Sequence, residues 1–470
     1  MKKCKAMAVF ILFLFLAVGL PVQASSQAQG DGLQESGRVI FLLDGSDSMS
    51  KERWQEALDC VLMVDAMLPS GYQAALAVYS TDVDAVVEFG HSMEDGISGL
   101  KDRKQGGYTN PGAALDAALE MLAGESVDKK YVVLVTDGEI SMPEAEEAEA
   151  ACALYHDTAA NAAEQGIIVD VLLYETKDIE DQVSDGVALT GGNCFLRTQD
   201  KTAEDFGRNY LFDRIGLERI MLGVSDSPDN LTKVSLQDTF ADRVRILLLS
   251  DNGLQDIQVS CQSRKISIAQ GYRFAVITLE HPLEDSIDLQ YAMAEKGRMD
   301  AYLVKEYNLS VSAEASYMPE TGKQQIQVRV TNSEGKDILE NPEIRDGVAI
   351  YMDGEKVSYE VSQGSAVVTR FEENSREIEI DVNFEGLNSR VYCNNARSSL
   401  WLEVPPEELP EDLPEEPVED TVSLFWLYMV TAGVCVVFVV LMCLFKQSKK
   451  KRNYRRQRSK SHAPSRDIKI

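Results

Sequence analysis

Val39-Ile40-Phe41-Leu42-Leu43-Asp44-Gly45-Ser46-Asp47-Ser48 sets an unbroken apolar run directly against a cluster of oxygen-bearing side chains. Five consecutive apolar residues read as a strand buried on both faces, the pattern of a parallel sheet covered by helices on each side. Next, Trp54, Leu58, Val61, Leu62 and Met67 recur at helical spacing and predict a helix near 51–68. Short strands are expected at 74–79 and 85–89. Asn110-Pro111 opens a helix to about 122, with Asn as N-cap and Pro in the first turn. Tyr131–Val135 is another buried strand. Ser141-Met142-Pro143-Glu144 has the spacing of a capping box, so a helix to about 164 should start there. A strand at 167–173 and a last helix near 203–215 complete the alternation. Strands alternating with helices over 37–216 predict an α/β fold, a doubly wound and mostly parallel sheet with helices on both faces.

Beyond about Ile220 the periodicity changes from helical to two. Ile326, Val328 and Val330 alternate with polar residues, and so do Ile378, Ile380, Val382 and Phe384. Turn signals at Asp251-Asn252-Gly253, Asp353-Gly354 and Glu385-Gly386 separate such runs. Antiparallel, sandwich-like β modules are expected, divided as 221–308 and 309–402. Residues 403–420, rich in Pro, Glu and Asp, read as an extended, self-repelling linker. Met318-Pro319-Glu320-Thr321-Gly322 reads as a turn.

The ends carry addresses. Lys2, Lys3 and Lys5 precede an apolar stretch, Ala6 to Leu20, and Val22-Gln23-Ala24 offers a small-residue cleavage site, so 1–24 reads as a signal peptide. Residues 424–445 are apolar and uncharged, and at ~1.5 Å per residue a helix of that length crosses a bilayer core. The tail at 446–470 is basic. That asymmetry predicts a single-pass cell-membrane protein with 25–423 outside and the C-terminus in the cytoplasm. Residues 25–424 hold 75 acidic against 32 basic residues. Such a body repels phosphate, so nucleic acid is excluded as a partner, while cations are attracted. Five cysteines lie in the expected outer part: Cys60, Cys152, Cys194, Cys261 and Cys393. They are scattered and odd in number, without a zinc-type pair. Cys60 reads as core, and Cys152 with Cys194 is one pair that could bridge.

The chemistry gathers where buried strands end. Asp44, Ser46 and Ser48 form D-x-S-x-S after the first strand. Thr109 lies in the loop before the Asn110 helix, and Asp137 follows the strand at 131–135. In an open parallel sheet, ligands bind beyond the carboxyl ends of the strands. Carboxylates and hydroxyls from three loops favour a hard divalent cation, Mg²⁺ or Mn²⁺. An EF-hand is excluded, because position six counted from Asp44 is Met49 and position twelve is Gln55.

These five residues, in this order and context, resemble the metal-ion-dependent adhesion site of the von Willebrand factor A family. The resemblance covers about 37–216. It implies that Ser46 and Ser48 bind the metal directly, and that Asp44, Thr109 and Asp137 do so directly or through water. Only two carboxylates are in the set; if one acts through water, the inner shell leaves the dication under-neutralised, with room for a partner's acid group. The expected function is therefore metal-dependent binding of a protein ligand that offers a carboxylate. The alternative is an assembly or sensory subunit of a cell-envelope membrane complex. No H-E-x-x-H, G-x-S-x-G, P-loop or dinucleotide fingerprint occurs, and a non-enzyme is expected.

Overall fold

The computed structural model describes residues 35–174, 182–225 and 229–405. The expected signal peptide, the linker from 406 on, the membrane span and the basic tail lie outside these residues. Among the described residues no helix is long and apolar enough to cross a membrane.

A six-stranded sheet forms the first half. Its strands are β1 (Gly37–Asp44), β2 (Tyr72–Tyr79), β3 (Val83–Val87), β4 (Lys129–Thr136), β5 (Ile168–Tyr174) and β6 (Cys194–Arg197). The order is β3-β2-β1-β4-β5-β6. All pairs are parallel except β2 with β3, so the sheet is mixed at one edge. Around it run α1 (Lys51–Met67), α2 (Met93–Leu100), α3 (Pro111–Leu122), α4 (Ala145–Glu164), α5 (Ser184–Leu189) and α6 (Ala203–Asn209). The apolar run of β1 divides by the two-residue period of a strand. Val39, Phe41 and Leu43 join the core beneath α1, whereas Ile40 and Leu42 join the core under α3 and α4.

Local chemistry sets the helix limits. Ser50 caps α1 by accepting from the Arg53 amide, and Leu68-Pro69 ends it, because the residue before a proline leaves the helical region. Asn110 and Pro111 start α3 as expected. Gly112 lets α3 cross α4 closely, since a Cβ there would lie 2.8 Å from the Tyr155 nitrogen. The capping box at Ser141 does not form. Glu144 is the N-cap of α4 and makes no side-chain cap bond, because Ser141 is engaged in a bridge to Thr109. The last helix also changes character: α6 ends at Asn209 and a π-helical turn covers Tyr210–Arg214. Cys60 is buried as expected, and no disulfide joins Cys152 to Cys194.

The described residues between 220 and 402 form antiparallel strands, with short helical turns and one parallel pair. Strands β7 (Ile220–Ser225), β9 (Arg243–Ser250), β11 (Ser263–Gln270), β12 (Phe274–Pro282), β14 (Met299–Met318) and β15 (Lys323–Asn332) lie within a nine-stranded sheet, while β8 (Asp229–Ser235), β10 (Leu254–Ser260) and β13 (Ser286–Met293) form a three-stranded one. The three-stranded sheet and a four-stranded one share one core with the nine-stranded sheet. Position 308/309 falls inside β14, whose 20 residues belong to both halves of the β region. Met318–Gly322 is the turn between β14 and β15, closed by the Gly322 amide on the Met318 carbonyl at 2.9 Å.

The two regions meet through α1. Leu247, Leu249, Phe274, Val276, Tyr302 and Val304 project from the nine-stranded sheet into the same core as α1, which is therefore buried between two sheets. Arg245, 3 % exposed, reaches the α1 end. Its Nη1 donates to Glu306 at 2.6 Å and its Nη2 to the Leu68 carbonyl at 2.7 Å. Ser70 Oγ donates to the other Glu306 oxygen at 2.8 Å, and the Tyr392 hydroxyl donates to the Ser70 carbonyl at 2.7 Å.

Candidate metal centre

The strand order fixes where a site can form. The chain runs outward from β1 to β2 and β3, then returns to place β4 on the other side of β1. Loops diverging from two neighbouring strands open a crevice beyond their carboxyl ends. Asp44 is the last residue of β1, and Asp137 directly follows β4.

Both strand ends are tied together by Thr136, the last residue of β4. Its Oγ1 donates to Asp44 Oδ2 at 2.8 Å and accepts from the Gly138 amide at 3.2 Å. Asp44 Oδ1 accepts from the Ser46 amide at 2.9 Å. The Ser46 and Ser48 hydroxyls are 3.0 Å apart. The third loop is pinned to the first, because Gly106 N–H donates to the Gly45 carbonyl at 2.8 Å. Gly107 turns this loop at φ +91°, where a side chain would be strained. Thr109 is 1 % exposed, and its amide donates to both the Ser141 carbonyl, at 3.1 Å, and the Ser141 hydroxyl, at 3.2 Å. Ser48, Gly107 and Tyr108 face solvent, so the crevice is open.

The electrostatics are unfinished at this end. Asp44 is fully buried, and that burial pushes its carboxyl up to about 6. Hydrogen bonds from Ser46 and Thr136 pull it down, and the nearby Asp137 charge pushes it up. Both carboxylate oxygens of Asp137 are buried and have no hydrogen-bond partner. The nearest cation is Arg53, whose Nη1 lies 3.9 Å away, too far for a hydrogen bond. A buried carboxylate without partners is costly, and an opposite charge is what removes the cost. Oxygen donors on three loops, an orphaned carboxylate and a neighbouring acid fit a hard dication. Among the described residues no three carboxylates, imidazoles or thiols gather as a metal cluster. This set has two carboxylates, and hydroxyls supply the rest.

Three contributors had little signal in the sequence. Thr136 is visible only as the neighbour of Asp137, yet it orients Asp44. Ser141 has helix-capping spacing but holds Thr109. Arg53 lies one turn into α1, and its approach to Asp137 needs the fold.

Residues 39–206 match the profile of the von Willebrand factor type A domain, and this segment is such a domain. Several solved structures are similar. An aerotolerance-related membrane protein from Bacteroides fragilis is 14 % identical, with 37 % of this chain and 96 % of that chain covered and a TM-score of 0.30. A von Willebrand factor type A protein from Catenulispora acidiphila is 12 % identical, covering 64 % of each chain, with a TM-score of 0.32. Proximal thread matrix protein 1 from the mussel byssus, described with a zinc-occupied MIDAS motif, is 18 % identical, covering 37 % and 45 %, with a TM-score of 0.28. Likeness of this degree says nothing about what this chain binds. No curated protein sequence matches it.

Proposed function

We propose that this chain is a cell-surface protein that binds an acidic group of a protein partner through a divalent cation held by Asp44, Ser46, Ser48, Thr109 and Asp137. The observation that carries this reading is the pair of buried, unpartnered oxygens on Asp137, set beside the buried Asp44. The chain's residues prepare the site. Thr136 and the Ser46 amide fix both oxygens of Asp44. Ser141 fixes the Thr109 backbone, and Gly106 holds the Thr109 loop against the Asp44 loop. Mg²⁺ or Mn²⁺, when bound with one of the two carboxylates acting through water, would supply local positive charge that a single direct carboxylate and neutral hydroxyls leave partly unmet, which favours an incoming carboxylate. This is how an acidic body can recognise an acidic partner. Tyr108, 42 % exposed beside Thr109, offers apolar contact at the rim. In this reading residues 25–423 face outward and 424–445 anchor the chain in the cell membrane, so the site is presented to partners outside the cell.

The test is capture of partners from a surface-protein extract by the full-length chain in Mg²⁺. Capture lost on adding EDTA and lost in Asp137→Ala is the expected result. Capture that survives chelation overturns the proposal. A partner residing in the same membrane would assign the site to assembly of an envelope complex instead of adhesion.

A further inference from the structure

A second cleft, of about 460 Å³, lies where the first turns of α1, the start of α6, the end of β6 and the β11–β12 turn come together. Glu204 of α6 lines it. The residue is 4 % exposed, and its Oε2 has no hydrogen-bond partner. The other buried or half-buried acids of the cleft are engaged. Glu56 is held by Arg197, with Nε and Nη2 each 3.2 Å away, and accepts from the Ala203 amide. Asp59 accepts from Gln55 and from the Tyr272 amide. Arg273, which also lines the cleft, forms no ion pair among the described residues. It is close enough to Glu204 to influence it electrostatically, yet the two do not pair. The cleft thus holds a buried carboxylate and a guanidinium, each open and held apart from the other. Tyr272, 60 % exposed, presents its ring at the mouth.

We propose that this cleft binds a small zwitterion, with its ammonium on Glu204 and its carboxylate on Arg273. A free amino acid, with the two charges at either end of a short chain, has this chemistry. An ammonium brings Oε2 the partner it lacks, and a charge-assisted bond in a half-enclosed cleft is stronger than one in water. Arg273 presents the planar fork that suits a carboxylate. The ring of Tyr272 adds a face for a cation or for the ligand's methylenes. The four acids lining the cleft, Glu52, Glu56, Asp59 and Glu204, disfavour a simple anion, and Arg273 with Lys51 disfavours a simple cation.

The pH dependence has a definite sign. Burial raises the Glu204 carboxyl to about 7, and the Glu56 charge pushes the same way. The Thr202 hydroxyl and Arg273 pull it down. Arg197 is occupied by Glu56. The Cys60 thiol behind it is itself pushed up by burial and stays neutral. The ammonium needs an ionised Glu204, so binding tightens as pH rises from 6 to 8.

The experiment titrates the full-length chain by calorimetry with glycine, 4-aminobutanoate and 6-aminohexanoate, which carry the two charges at increasing separation. Butylamine and butyrate are the single-charge controls. At least one amino acid is expected to saturate one site, with both controls about tenfold weaker or worse. Glu204→Gln and Arg273→Gln should each weaken it by about tenfold or more, with the circular-dichroism spectrum and thermal midpoint of each variant checking that it is folded. Absence of binding by all three, butylamine binding as tightly as the best amino acid, or binding unchanged in both variants would each overturn the proposal.

Discussion

At the seam, the buried Arg245 and Glu306 meet each other, the Leu68 carbonyl and Ser70, so the acid has a partner at each oxygen. Beyond β1 and β4, buried Asp137 has no hydrogen-bond partner at either oxygen and lies beside buried Asp44. The ingredients are alike and the finish is opposite. A buried charge closed by its own chain specifies how two parts pack. A buried charge left open points to a group that comes from outside. The same contrast separates Glu56, closed by Arg197, from Glu204 in the second cleft.

The comparison breaks most visibly at the seam. Glu306→Ala leaves Arg245 buried and unpaired, and the expected loss is ~3–5 kcal/mol in chemical denaturation. A loss under ~1 kcal/mol would mean that the seam charges were never closed by one another. At the metal loops the expectation reverses. In EDTA, Asp137→Asn should unfold no earlier than the parent, because it removes a buried charge whose oxygens accept no hydrogen bond. In Mg²⁺ at a hundred times its Kd, the parent should gain about 2.7 kcal/mol that the variant does not. Equal gains in a thermal-shift series would show that Asp137 is not part of the site. The smallest effect belongs to Glu204. Its folded value, about 7, lies above the ordinary carboxyl value, so the folded state holds the proton more tightly. Its contribution to stability is therefore highest below about 4.5 and declines as pH rises towards 7. Glu204→Gln removes that decline and should be more stable than the parent at pH 8 by on the order of 2 kcal/mol. Parallel pH–stability curves for the two proteins would count against an ionisable, buried Glu204.

Much of the first half was legible because its determinants are local. Val39–Leu43 and Tyr131–Val135 read as central strands because each is a short apolar run between turn signals, alternating with helical patterns, as a strand covered on both faces requires. D-x-S-x-S, Thr109 and Asp137 fall at strand ends, so topology alone brings their loops to one edge. Ser141 failed as a cap because a long-range bridge to Thr109 outcompeted a local bond, and spacing cannot show such a competition. The burial of α1 between two sheets went unread, although a signal existed. Ile246-Leu247-Leu248-Leu249 and Phe274-Ala275-Val276-Ile277 are continuous apolar runs inside a region otherwise alternating. In antiparallel strands such runs mean that both faces are covered, and here the second cover is α1. The pairings of Arg245 with Leu68 and of Tyr392 with Ser70 span 177 and 322 residues, beyond any window of pattern reading.

Glu306, which holds Ser70 just beyond the end of α1 and the Arg245 that reaches Leu68, sits near the middle of β14, a strand paired along its length with β9 and β15. Tension applied at the Asp44 loop would pass down α1 into that strand. Hydrogen bonds lie across a strand, so a pull along it loads many of them together in shear, whereas a pull across an edge opens them one at a time. The placement of one glutamate thus joins the end of α1 to a strand held by hydrogen bonds on both sides.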